Sequence, residues 1–413
     1  MRYSSALLVL IAGCGGPSVS VVSDLAATPL DAVSHPADLA TAVSDASGDP
    51  SADGATACPR LPADADRVRK VVVSHPFGDG GKGVGFEVLD LSASGTLTRA
   101  NVTFTMGTAN DRPIHFTADG AIGLVAQDDG SLGVFRFDES GKPVVVHAAF
   151  QMGFYAEDVV VAPDGRRAFV LDSDTAKNGG GVYEVAIACD GRLSSRGLVV
   201  PGDNPQAMAF LDGASGRAIL AARSALASPM GDDTHLIDLA AAPALVASGS
   251  AFADGMAIAS SVATTIDGKF ALISDNGLGV GSRVAVVALP SLKSVQILLT
   301  PNPAAVVTSP FGDAALVLNS DGKDALRLFK YDAGNGGAPF ALVGEVAYQN
   351  GKPQLPSAAV VIARGLLKGR VLVAENLAVR QLQFHAGGTL SDVGLVSFGG
   401  GNSAIVGVVG VQP

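Results

Sequence analysis

One short phrase recurs along the chain: an apolar run, a polar turn closed by glycine, and a second apolar run that stops at polar side chains. It reads "HFTADGAIGLVAQDDG" over residues 115–130, "VAPDGRRAFVLDSD" over 161–174, "TTIDGKFALISDNG" over 264–277 and "VTSPFGDAALVLNSDG" over 307–322. The turn glycines Gly120, Gly165, Gly216, Gly268, Gly312 and Gly369 stand 45, 51, 52, 44 and 57 residues apart. Further apolar runs follow within about ten residues, at 133–137, 181–187, 283–289, 326–331 and 379–384. A period of roughly 40 to 50 residues with about four strands per unit describes a propeller blade, whereas solenoid repeats are shorter.

Six such units leave residues 71–105, which contain "KVVVSHPF" and "VGFEVLDL" but lack a first strand. At the other end, "NSAIVGVVGV" (402–411) is a strand with no turn after it. Joining the two gives a seventh blade whose inner strand comes from the C-terminus, so that the ring closes and no sheet edge stays open. The expected fold is therefore all-β: a seven-bladed β-propeller closed by the C-terminal strand and spanning residues 58–413. The 51 glycines and 22 prolines, set among short Val, Ile and Leu runs, fit many strands joined by tight turns.

A formal charge of −11 and the lack of a basic cluster argue against nucleic acid, whose phosphates are bound mainly by Lys and Arg. Trp is absent and aromatics make up 5% of the chain, which offers little for stacking platforms.

At the N-terminus Arg2 precedes the apolar run 6–11, which ends in Ala12-Gly13-Cys14. This is the order of a signal peptide, and the run is too short to span a bilayer. The string "LIAGC" resembles the lipobox of bacterial lipoproteins. That resemblance implies a signal peptide over 1–13, a lipidated Cys14, and the envelope of a Gram-negative-type bacterium. Gly15 stands where an Asp would favour the inner membrane, which points to the outer membrane, with the lipid anchor as the sole membrane attachment. Residues 14–57 are rich in Ala, Ser, Asp and Pro and read as a flexible linker, long enough to let the folded part float clear of the headgroups. With Cys14 assigned to lipid, Cys58 and Cys189 remain, and an exported chain with two thiols favours a disulfide between them.

The wording "NPQAMAF" (204–210), "APDGRRAFVLDSD" and "TIDGKFALISDN" resembles the lactonase-like, or YVTN-type, seven-bladed propellers over residues 68–413. The shared motifs are turns and strands, so the resemblance implies a fold; lactonases, electron-transfer subunits and binding scaffolds all use it.

In a propeller the loops before the inner strands and after the second strands share one face around the axial channel. The second strands end at or beside Gln127, Asp128, Asp172, Arg223, Asp275, Asn319 and Glu375, which form the expected binding face for an envelope protein or small ligand. Asp172, Asp275 and Glu375 are candidate ligands for a Ca²⁺ ion, since clustered carboxylates are relieved by a hard cation, although no cofactor is required. His75, His115, Arg112 and Glu157 are candidates for acid–base opening of a lactone or ester. No Gly-x-Ser-x-Gly elbow, His-Glu-x-x-His motif or Cys-x-x-Cys-His site is present. The leading expectation is a monomeric, lipid-anchored binding or scaffolding module. The alternatives are a lactonase-type hydrolase working at the channel face and a cation-dependent structural lipoprotein.

Overall fold

The computed structural model divides the chain into Met1–Thr56 and Ala57–Pro413. It describes residues 67–77, 85–174, 179–202, 204–211, 216–223, 232–241, 244–252, 258–276, 282–320 and 325–413. Cys14 and Cys58 lie outside those residues, as do the signal-peptide and linker segments.

Residues 67–413 form seven four-stranded antiparallel sheets, each built from consecutive strands except the first. In that blade the short strand Val409–Val411 pairs with Arg69–His75, bringing Val71 opposite Val411 and Val73 opposite Val409. The C-terminal strand thus closes the ring, as the unpaired sequence runs required. It is shorter than residues 402–411: residues 402–404 form a 3₁₀ turn instead. The Ser74 hydroxyl accepts from Val408 N at 3.0 Å, which places it 2.8 Å from where a Cβ on Gly407 would stand. A side chain at residue 407 would crowd Ser74 and Pro76, which favours glycine there.

The recurring glycines have a common backbone role. Gly120, Gly165, Gly216, Gly268, Gly312 and Gly369 all have φ between +66° and +88°, where a Cβ is strained. In three of these turns a preceding aspartate accepts from the main chain two residues on, at 3.0 Å for Asp119, 2.8 Å for Asp164 and 3.2 Å for Asp267. The second strands that follow are buried on both faces, for instance Phe270–Asp275 and Ala314–Asn319. This explains their continuous apolar runs. Outer strands such as Leu97–Thr105 alternate between covered and exposed positions. Each apolar cluster bridges neighbouring blades; Leu272, Val286, Val317 and Phe329, for example, pack blade five against blade six. The core is thus the set of seams between sheets.

The expected Cys58–Cys189 disulfide has only one of its cysteines among the described residues. Among the described residues no pair of cysteines stands at bonding distance, because Cys189 is the one cysteine there and Cys58 lies outside them. The Cys189 Sγ accepts from Arg166 Nη1 at 3.1 Å.

Candidate active site at the channel mouth

Four inner strands lose register against their neighbours at their first residues. The shifts fall between Ala156 and Asp158, Pro205 and Ala207, Ala259 and Ser261, and Pro303 and Ala305. The extra residue in each bulge is therefore Glu157, Gln206, Ser260 or Ala304. A bulge re-aims one side chain without disturbing the rest of a ladder. Three of these four residues meet at Arg112.

Arg112 lies on the loop before the inner strand of the second blade. Asn110 sets its position by donating from Nδ2 to the Glu157 carbonyl at 2.6 Å and accepting from Arg112 N at 3.0 Å. The guanidinium then reaches across the axis. Its Nη2 donates to Glu157 Oε1 at 3.0 Å and lies 3.5 Å from Gln206 Oε1, while Nη1 donates to the Ser260 carbonyl. One side chain thereby links blades two, three, four and five. Gln206 is fully buried, and its Nε2 donates to Asn204 Oδ1 at 3.0 Å, which directs its oxygen towards Arg112.

Glu157 has a second cation and a hydroxyl beside it. Arg223 Nη2 stands 3.8 Å from Oε1, and Ser173 Oγ donates to Oε2 at 3.3 Å. Burial opposes ionisation of Glu157, but Arg112 and Arg223 outweigh it and hold the carboxyl below its ordinary range. Burial likewise opposes the charge on Arg112, and Glu157, Asp158 and Asp111 more than compensate. The Arg223 guanidinium is pushed down by burial and by Arg112, and its Nε is buried without a hydrogen-bond partner. The Glu157 and Arg223 side chains keep 23% and 33% of their accessibility, so both are open to solvent.

The rim is acidic. Burial, then Asp111, Asp129 and Glu157, raise the Asp128 carboxyl to about 6, although the residue as a whole is exposed. The Tyr155 hydroxyl donates to the Asp128 carbonyl at 2.7 Å and fixes this corner. Beneath the rim, His115 Nε2 stands 3.7 Å from Asp158 Oδ1. Burial lowers the His115 imidazole to about 4 and raises the Asp158 carboxyl to about 7, so neither favours its charge.

Of the four acid–base candidates, Arg112 and Glu157 converge and His115 lies behind them. His75 belongs to another site: it contacts the Ile405 carbonyl at 3.1 Å and Glu87 at 3.5 Å in the first blade, edge-on to Phe398. Asp172, Asp275 and Glu375 do stand at second-strand ends, but each is engaged within its own blade. Asp172 accepts from Asp174 N at 2.8 Å and Asp275 from Ile258 N at 2.9 Å. Glu375 pairs with buried Arg380, which also holds Asp392 at 2.5 Å. Among the described residues no group of three His, Cys, Asp or Glu side chains is placed to hold a metal ion. Gln127 is buried and accepts from Ser131 Oγ at 2.7 Å, and Asn319 is likewise buried at its strand end. Sequence reasoning missed Gln206 and Ser260, whose only signal is a polar residue one step into an inner strand.

No family model and no curated protein matches the chain. Solved structures do. A putative 6-phosphogluconolactonase from Bacteroides uniformis covers 84% of this chain and 100% of its own at 15% identity and a TM-score of 0.61. The periplasmic gluconolactonase PpgL of Pseudomonas aeruginosa covers 84% and 99% at 17% identity and a TM-score of 0.60. A second putative 6-phosphogluconolactonase, from Bacteroides fragilis, gives 16% identity and a TM-score of 0.59 over 85% of this chain and 99% of its own. This is a seven-bladed β-propeller that resembles the lactonase-like propellers.

Proposed function

We propose that the chain hydrolyses a lactone at the channel mouth, with Glu157 as general base and Arg223 as the oxyanion donor, held in register by Arg112. The observation that carries this reading is the meeting of the bulge residue Glu157 with two guanidiniums, one of which keeps a buried N–H unpaired. The likeness to lactonase-like propellers supports it and displaces the scaffold as the leading reading. A water beside Glu157 gives its proton to the carboxylate as its oxygen bonds to the lactone carbonyl carbon. Arg223 stabilises the resulting oxyanion. The ring C–O bond then breaks, and the alkoxide takes the proton from Glu157, which yields the hydroxy acid.

The rim also selects among lactones. Arg112 directs both terminal nitrogens at protein acceptors, whereas Arg223 keeps a third of its accessibility, beside Asp111, Asp128, Asp129 and Glu157. A phosphorylated substrate meets net repulsion there, so a neutral polyhydroxy lactone fits better. We place this activity in the bacterial envelope, with Cys14 as the lipid attachment point.

The test is acid release from a neutral aldonolactone and from its phosphorylated counterpart, above the spontaneous rate. The neutral substrate should be preferred, and Glu157→Gln should lose about 10²-fold or more in kcat. Preference for the phosphorylated substrate would reject the selectivity alone. No protein-dependent release from either would reject the hydrolase.

A further inference from the structure

The face opposite the channel mouth carries a second surface. It holds the turns between inner and second strands, and in blades five, six and seven these expose Ile266, Phe311 and Leu366 at 65%, 37% and 71% of their accessibility. Blade one adds Val68 at 50%, where the chain enters the propeller. These four residues sit on consecutive blades. The turns of blades five, six and seven are also adjacent in space: a Cβ on Gly312 would lie 2.6 Å from Ile266 Cγ2, and one on Gly369 would lie 2.8 Å from Phe311 Cε2. Isolated exposed apolar residues need no explanation, but a connected arc on one face marks an interaction site.

Charge is sorted on this face too. In blades five and six the turn aspartates are engaged by the protein. Asp267 accepts from the Tyr331 hydroxyl at 2.9 Å and from Thr265 Oγ1 at 2.7 Å, and Asp313 accepts from Gly387 N and Gly388 N at 2.6 and 3.0 Å. The Lys368 ammonium stands 4.9 Å over the Phe311 ring, and the exposed Lys269, in the turn that carries Ile266, keeps its ammonium 3.8 Å from Asp267 Oδ2. Outward cations beside apolar tips form the pattern that suits a bilayer with anionic headgroups.

We infer that this arc rests on a lipid surface, so that the propeller lies with its channel mouth turned away from the bilayer. The course of the chain favours lipid over other occupants. Residue 67 enters on this face, Arg67 being held by Gln412 at 3.1 Å and the Pro413 carbonyl at 3.0 Å, and the 66 residues before it carry the lipobox-like cysteine. The inference rests on the envelope placement but not on the lactone chemistry. It replaces the expectation that the folded part floats clear of the headgroups.

The test uses the full chain as Cys14→Ser, so that no acyl chain contributes, with vesicles of phosphatidylethanolamine and phosphatidylglycerol. This protein should co-sediment with the vesicles, and added Ile266→Ser, Phe311→Ser and Leu366→Ser should weaken binding about tenfold or more while the melting temperature stays near the parent's. Raising salt should weaken the parent only in part. Failure of the Cys14→Ser protein to bind vesicles, or equal binding by the triple variant, would overturn the inference. Sedimentation velocity supplies the other decisive result: dimers that the triple substitution abolishes would assign the arc to a second copy and reject lipid.

Discussion

At the scale of single residues the site depends on opposed charges brought together by bulges, and the pair beneath it depends on both partners being neutral. In the folded chain Asp158 keeps its proton up to about pH 7, whereas an unfolded Asp loses it near 4. Between those values the folded state binds more protons, so this residue makes stability fall as pH rises. His115 acts in the opposite sense. It stays neutral down to about pH 4 in the folded chain, an unfolded His protonates near 6.5, and stability therefore rises with pH across that window. The two slopes cancel in the parent. Asp158→Asn keeps an acceptor for Val159 N but removes one slope, so its stability relative to the parent should climb by on the order of 1 kcal/mol per pH unit between about pH 4 and 7. His115→Gln should show the reverse trend between about pH 4 and 6.5. Urea unfolding at three pH values measures both, and parallel profiles for parent and variants would contradict the account of the pair.

At the scale of strands, the closing strand Val409–Val411 has three paired residues but ties several others. Gln412 accepts from Lys70 N at 2.9 Å and donates to the Gly120 carbonyl at 2.7 Å, joining the first blade to the turn of the second. A chain ending at Gly401 would expose the main chain of Arg69–His75 and strip Val406, Val408 and Val409 from the apolar seam that holds Val71 and Val73. We expect that truncation to lose cooperative unfolding and to aggregate, as read by circular dichroism and light scattering. Retention of the parent melting temperature would place the closure elsewhere.

The same scale shows how much the sequence discloses. Each turn glycine marks a positive φ, and each second strand reads as an unbroken apolar run because both of its faces are covered, so blade number and closure are legible. Bulges are not. The stretch "AEDVVV" has no residue whose type signals that Glu157 is the extra one, and "PQAMAF" conceals Gln206 in the same way. The polar ends of the second strands are equally visible in the sequence, yet Asp172, Asp275 and Glu375 are satisfied inside their own blades, because a buried carboxylate is costly unless it is hydrogen-bonded. Arg112 and Glu157 could be named as candidates; the partnership with Arg223 depends on which loops the closed ring brings to its axis.

For the whole molecule, the ring sets one face as a polar channel mouth and the other as an apolar and cationic arc near the chain's entry. The central claim is that the mouth opens lactones with Glu157 as base, and the pH dependence of kcat/KM for a neutral aldonolactone tests it most directly. Arg112 and Arg223 hold the Glu157 carboxyl below its ordinary range, so the base is lost only as pH falls below that range. The account predicts a rate that stays level from pH 7 down past pH 5 in the parent and collapses at every pH in Glu157→Gln. An acid limb near 6 that survives Glu157→Gln would transfer the role of base to Asp128, and a parent rate no faster than spontaneous opening would contradict the claim outright.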